Sequence, residues 1–191
     1  MKTERLLKKS VIILITVLGM TAMLFTGCKS EENEVKEVKE VKEESKGAEV
    51  PSFTAQDLMG NTVTEAVFGE KDLTVVNVWG TFCPPCIGEM PELGEWARSM
   101  PDNVQLIGLI IDIEGDADTE HHDLAVEITE KADADFLQII ANEDFREILN
   151  SVYGVPTTFF VDRSGCIVGK AIVGADVEGY KNFVEEYLNG Q

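Results

Sequence analysis

Two cysteines separated by two prolines, Cys83-Pro84-Pro85-Cys86, are the residues whose types and spacing most directly support chemistry in this chain of 191 residues. They stand between a β-branched run, Leu73 to Trp79, and a stretch from Ile87 to Met100 that carries Met90, Leu93 and Ala97 at helical spacing. The first is long enough for a buried strand and too short for a helix. A thiol at a strand-to-helix junction meets the free amides and the positive end of the helix dipole, and both favour its thiolate. Cys83 is therefore expected to be the attacking sulfur. Cys86, one turn into the helix and more deeply buried, is placed to resolve a mixed disulfide formed at Cys83. Pro84 and Pro85 suit a first helical turn but have no N–H, which leaves the Cys86 amide as the main backbone donor to the Cys83 sulfur. A moderately lowered thiolate pKa follows, and with it a lean toward a reductant. The other use of such a pair, half of a structural zinc site, needs further ligands at suitable spacing. The two histidines, His121 and His122, are adjacent in a polar stretch.

The elements that must position this pair can be read along the chain. Ser52 to Val63 reads as extended chain around a turn at Met59-Gly60-Asn61, a small hairpin ahead of the main fold. Val104 to Ile113 reads as a second buried strand, Asp123 to Ala132 as a helix and Phe136 to Ile140 as a short strand. Asp144 to Val152 reads as a helix, and Val177 to Leu188 closes the chain as an amphipathic one. Thr157 to Val161 and Ile167 to Val173 flank Asp162-Arg163-Ser164-Gly165, which is hairpin turn chemistry. Alternating strands and helices with a terminal hairpin and helix predict an α/β fold: a central mixed sheet covered on both faces.

Sixteen Lys and Arg against 35 Asp and Glu give a formal charge of -19, which excludes a nucleic-acid surface. The first 27 residues differ from the rest. Lys2, Arg5, Lys8 and Lys9 precede an apolar run, Val11 to Phe25, that is shorter than the roughly 20 residues a spanning helix needs. That is signal-peptide geometry. Leu24-Phe25-Thr26-Gly27-Cys28 resembles a bacterial lipobox, which implies lipidation of Cys28 and anchoring to the outer face of the cytoplasmic membrane. Residues 28–50 are rich in Glu and Lys, with three copies of Glu-Val-Lys and no aromatic residue, and read as a solvated tether. A folded domain is expected over residues 51–191. The acids between Asp112 and Glu120 read as a solvated loop, His121 and His122 as surface residues, and Cys166 as a small strand side chain.

The run Val76-Asn77-Val78-Trp79-Gly80-Thr81-Phe82-Cys83-Pro84-Pro85-Cys86, with Pro91 and the downstream Gly154-Val155-Pro156-Thr157-Thr158-Phe159, resembles the thioredoxin superfamily. It is most similar to the membrane-tethered branch of the TlpA and ResA type. The resemblance implies a thioredoxin fold with an N-terminal hairpin extension and an inserted segment, and a redox-active Cys83–Cys86 disulfide with no other cofactor. It makes Pro156 a cis-proline facing that disulfide, with Val155 turned outward to pair with an extended substrate. Trp79, Pro84 and Pro85 complete the expected substrate contacts, and Pro91 lies inside the active-site helix. Thioredoxins proper carry a proton-transferring Asp where this chain has Asn77. Glu89, one turn beyond Cys86, matches the acid of the tethered branch and is expected to take over that task, its pKa raised by burial.

The implied function is extracytoplasmic thiol-disulfide exchange on protein disulfides, in the reducing direction, with cytochrome c maturation among the outcomes. Electrons would come from an integral membrane donor of the DsbD or CcdA type, because disulfides persist outside the cytoplasm and no soluble reductase is at hand. A monomer is expected. Two alternatives stand beside this reading: an oxidant that introduces disulfides, and a copper metallochaperone on the same fold. The second is disfavoured by a two-residue cysteine spacing where copper-binding relatives have three. A peroxidase would need Thr three residues before the reactive Cys, whereas Thr81 is two before Cys83.

Overall fold

The computed structural model describes residues 48–190. Thr54–Gln56 (β1) and Thr62–Thr64 (β2) pair antiparallel as the expected hairpin. Asp57 builds its turn by accepting the N–H groups of Met59 and Asn61 at one carboxylate oxygen, while Gly60 supplies the left-handed φ of 80°. A 3-10 turn at Glu65–Glu70, not foreseen from the sequence, buries Phe68 on the way into the main sheet.

Leu73–Trp79 (β3) is buried along its whole length and lies at the centre of a five-stranded sheet. It pairs in parallel with Val104–Ile110 (β4), which pairs in parallel with Leu137–Ile140 (β5). On its other side it runs antiparallel to Thr157–Asp162 (β6), which turns back into Ile167–Val173 (β7). The order is β5-β4-β3-β6-β7. Parallel neighbours require crossovers, supplied by Pro84–Ser99 (α1) between β3 and β4 and Thr119–Lys131 (α2) between β4 and β5. Arg146–Leu149 (α3) continues a 3-10 turn at Glu143–Phe145, and Val177–Asn189 (α4) ends the fold.

Side-chain alternation along β3 divides the core. Leu73, Val75 and Trp79 pack with Met90, Leu93, Tyr180 and Val184 beneath α1 and α4. Val76 and Val78 face the opposite layer, where Phe53, Phe68 and Phe145 meet. Asn77 shares the α1 face with Val75 and Trp79, although it is polar and 1 % exposed. Its partners define the site.

Four boundaries differ from the sequence reading, one being the helix expected over Asp144 to Val152, which is a 3-10 turn at Glu143–Phe145 followed by an α-helix that ends at Leu149. The domain begins before Pro51: Val50 is buried and donates its N–H to the Gly165 carbonyl, and Ile167 donates to that of Ala48. Residues 48–50 thus join the fold instead of the tether. α2 starts at Thr119, because Asp118 caps it by accepting the His121 N–H, so both histidines sit in its first turn. β4 stops at Ile110, because the next residues serve the active-site loop. The signal peptide, the lipobox with Cys28 and the tether up to residue 47 lie outside the described residues. Among those described, no helix is long and apolar enough to cross a membrane.

Candidate active site

Cys83 is the N-cap of α1 and is joined to Cys86 in a disulfide. Pro84 and Pro85 occupy the first helical positions, where the missing N–H groups cost nothing because helix N-termini leave those donors unpaired. The Cys86 N–H reaches back to the Cys83 sulfur at 3.2 Å, the contact foreseen from the two prolines. Cys86 is fully enclosed and Cys83 retains slight exposure, so an incoming group meets Cys83 first. The Val155–Pro156 peptide is cis, and the Val155 carbonyl oxygen lies 3.4 Å from the Cys83 sulfur. Strand β6, which follows Pro156, brings this loop to the sulfur by pairing with β3.

Glu89 lies one turn after Cys86 on the buried side of α1, 6 % exposed. Its Oε1 accepts a hydrogen bond from Asn77 Nδ2 at 2.9 Å, and the Tyr180 hydroxyl lies 3.2 Å from its Oε2. Asn77 Nδ2 also donates to Thr158 Oγ1, directly across the β3–β6 ladder. Burial dominates the carboxyl's behaviour: desolvation of the charged form pushes its pKa from 4.5 up to about 7. The Asn77 and Tyr180 hydrogen bonds oppose that shift, while nearby Glu92 and Asp176 add to it. A carboxyl that titrates near neutrality, one helical turn from a buried cysteine, can accept or return a proton without large cost in either direction.

Trp79 corrects the expected list of substrate contacts. Its side chain is 0 % exposed and its indole N–H donates to Gln138 Oε1 on β5, so it is a core residue that anchors the end of β3. Exposed large apolar side chains lie instead at Phe82, 64 % exposed and next to Cys83 in the chain, and at Tyr153, 96 % exposed and two residues before Val155, with Pro84 and Pro85 also exposed. Sequence reasoning passed over both, and large aromatics flanking a reactive cysteine and its facing loop were the available signal. Asp112 was also missed. It is no free loop acid: one carboxylate oxygen accepts both the N–H and the hydroxyl of Thr81, at 2.9 and 2.6 Å, and so fixes the loop two residues before Cys83. His121 is bound to Asp118, and His122 Nε2 donates to the Leu58 carbonyl, tying α2 to the β1–β2 hairpin. Cys166 is buried beside the β6–β7 turn and is not in a disulfide.

A Cys-x-x-Cys disulfide at the N-terminus of a helix, faced by a cis-proline loop and backed by a buried acid, defines a thioredoxin-fold thiol-disulfide oxidoreductase. The Redoxin family profile matches residues 45–185, and the chain belongs to that family. Over 193 aligned positions it is 31 % identical to the thiol-disulfide oxidoreductase ResA of Bacillus cereus, covering 98 % of this chain and 97 % of the relative. The thiol:disulfide interchange protein DsbE of Vibrio cholerae is 28 % identical over 123 residues, 63 % of this chain and 61 % of that protein. Among solved structures, the thioredoxin domain of a thiol-disulfide oxidoreductase from Bacteroides vulgatus superposes with a TM-score of 0.59 at 26 % identity, covering 75 % of this chain and 97 % of that one. The protein is an oxidoreductase of the ResA and DsbE type.

Proposed function

We propose that the protein reduces disulfides of polypeptides on the outer side of the cytoplasmic membrane, anchored there through Cys28 and re-reduced by an integral membrane dithiol donor. The observation that carries the direction is the sparse stabilisation of the Cys83 sulfur: one backbone donor, the Cys86 N–H at 3.2 Å, with Pro84 and Pro85 contributing none. A thiolate held by few donors is only moderately stabilised, and oxidants of this fold depend on strong stabilisation of the reduced form.

In the forward reaction the Cys83 thiolate attacks one sulfur of the substrate disulfide. A bond forms between Cys83 Sγ and that sulfur, the substrate disulfide breaks, and the other substrate sulfur leaves as a thiolate. The Glu89 carboxylate then takes the proton from Cys86, and the Cys86 thiolate attacks Cys83 Sγ. The mixed disulfide breaks, the substrate leaves with both sulfurs reduced, and the Cys83–Cys86 disulfide forms. Two electrons pass from the protein to the substrate, and no cofactor beyond the cysteine pair takes part. Val155 offers its backbone to an extended substrate segment, and Phe82 and Tyr153 offer apolar surface beside it. Apocytochrome c is a substrate that this reading accommodates. Copper delivery finds no comparable support, since both histidines are engaged on α2 with Asp118 and Leu58.

The test is the reduction potential of the Cys83–Cys86 pair, measured in defined dithiol buffers with Cys166→Ser to remove the third thiol. A value at or below about -250 mV is expected. A value near about -120 mV would assign the protein to disulfide formation and overturn the proposed direction.

A further inference from the structure

The Tyr180 hydroxyl stands where three parts of the site meet. It lies 3.2 Å from Glu89 Oε2, 2.7 Å from the Gly174 carbonyl oxygen, and 3.2 Å from the Asp176 N–H that donates to it. Tyr180 is fully buried, so these contacts are not exchanged for water. Gly174, at the end of β7, in turn donates its N–H to the Pro156 carbonyl at 2.8 Å. One residue, through the two peptide groups that flank its Cα, therefore links the phenol to the loop whose Val155 oxygen lies against Cys83. Gly174 has φ of 93°, a left-handed conformation that side chains rarely adopt, so this link needs glycine.

A phenol has one hydrogen, and here two acceptors compete for it. With Glu89 neutral, the hydrogen belongs on the shorter contact to Gly174. With Glu89 ionised, the carboxylate is the stronger acceptor and draws the hydrogen toward itself, leaving the Gly174 carbonyl weakly held. The remaining groups facing Glu89 do not provide such a route. Asn77 is committed to Oε1 and to Thr158, Glu92 is paired with Lys181, and Asp176 caps α4 through the Gly179 N–H.

From this geometry we infer that Tyr180 is a positioning residue that couples the charge state of Glu89 to the Val155–Pro156 loop through Gly174. The inference rests on the proposed role of Glu89 and adds a consequence: proton transfer between Cys86 and Glu89 alters the backbone hydrogen bonds that hold the substrate-facing loop. Substrate grip and proton transfer then change together.

The experiment measures the pH profile of exchange between the reduced full chain and a synthetic peptide closed by one disulfide, for wild type, Tyr180→Phe, Glu89→Gln and the double variant. Carbon-13 NMR of the glutamate carboxyls, with the Glu89 resonance assigned by its loss in Glu89→Gln, is recorded alongside. Removing the phenol takes a donor from the carboxylate, so Tyr180→Phe is expected to move the Glu89 midpoint upward by about half to one pH unit. It should also raise KM for the peptide, and the double variant should show no pH shift relative to Glu89→Gln. A replacement that keeps the hydroxyl but makes it a stronger donor, 3,5-difluorotyrosine at position 180, should move the midpoint the opposite way. An unmoved Glu89 resonance in both Tyr180 replacements overturns the inference, as does a KM that stays at the wild-type value. An unchanged profile in Glu89→Gln with a shifted Glu89 resonance in Tyr180→Phe would instead remove Glu89 from the reaction and leave the electrostatic link standing.

Discussion

Glu89→Gln has a consequence for stability that can be worked out independently of turnover. In the oxidised fold the Glu89 carboxyl titrates near 7, whereas in the unfolded chain it returns to about 4.5. Its folded pKa is raised, so the native state binds the proton more tightly than the unfolded state does. The associated stability is fully present below pH 4.5 and is lost as the pH rises toward 7. The displacement corresponds to at most about 3 kcal/mol, and to roughly 2 kcal/mol once solvent screening of the carboxylate is allowed for. Gln is nearly isosteric and cannot ionise. Its amide oxygen can accept from Asn77, and its amide nitrogen can face the Tyr180 oxygen. The assay is urea unfolding of the oxidised protein at intervals between pH 4.5 and 8.5, with wild type and variant compared at each pH so that the other acids cancel. The variant should gain on wild type by about 2 kcal/mol across that interval, a relative shift of the urea midpoint of about 1 M. Parallel curves for the two proteins would show that Glu89 is ionised in the fold at neutral pH, and the burial reasoning would fail with it.

Cys86→Ser should accumulate a mixed disulfide between Cys83 and a peptide substrate, visible by non-reducing mass spectrometry. The same species forming at Cys86 in Cys83→Ser would reverse the assigned order of the two sulfurs. Asp112→Ala removes the acceptor for both Thr81 donors and should cost about 1 to 3 kcal/mol in chemical unfolding while slowing alkylation of the reduced Cys83; wild-type values in both measurements would return Asp112 to the solvated loop. Gly94→Ala places a Cβ 2.6 Å from the Asp133 carbonyl oxygen and 3.1 Å from the Ala134 Cα, both backbone. It should lower stability by about 1 to 3 kcal/mol, and an unchanged melting temperature would show that α1 and this turn separate freely.

The strands and helices were legible because their signals are local. The β-branched run of β3, the prolines that open α1 and the turn residues between β6 and β7 each act within a few positions, and the structure places each element where those residues indicate. The ends were less legible where a side chain answers to something distant. Hydrophobicity alone extends β4 to Ile113, yet the strand ends at Ile110 because Asp112 is drawn to Thr81, 31 residues away in sequence. α2 begins four residues earlier than its apolar pattern, because Asp118 caps it. Trp79 is the instructive error at the site. A tryptophan close to a reactive cysteine invites a substrate role, but strand alternation alone leaves undecided whether its face is covered by a helix. Its indole N–H on Gln138, 59 residues on, settles that the side chain is interior.

The buried acid next to the cysteine pair stands on α1, while the strand position beneath it carries an amide, and the consequence is physical. An Asp at position 77 would place its charge between Thr158 and Glu89, where two carboxylates would compete for one desolvated space. Asn77 instead donates, at 2.9 Å to Glu89 and 3.1 Å to Thr158, and keeps Glu89 from rising as far as burial alone would take it. Its Oδ1 is left buried without a partner among the described residues. That orphaned acceptor is the counterpart of the arrangement: the amide spends its donors on holding the helix acid near neutrality. Asn77→Asp should therefore not restore a thioredoxin-like site. It should exchange a donor for a second carboxylate, raise the second ionisation of the pair above that of Glu89 alone, and destabilise the oxidised fold most at alkaline pH, where both groups would have to carry charge.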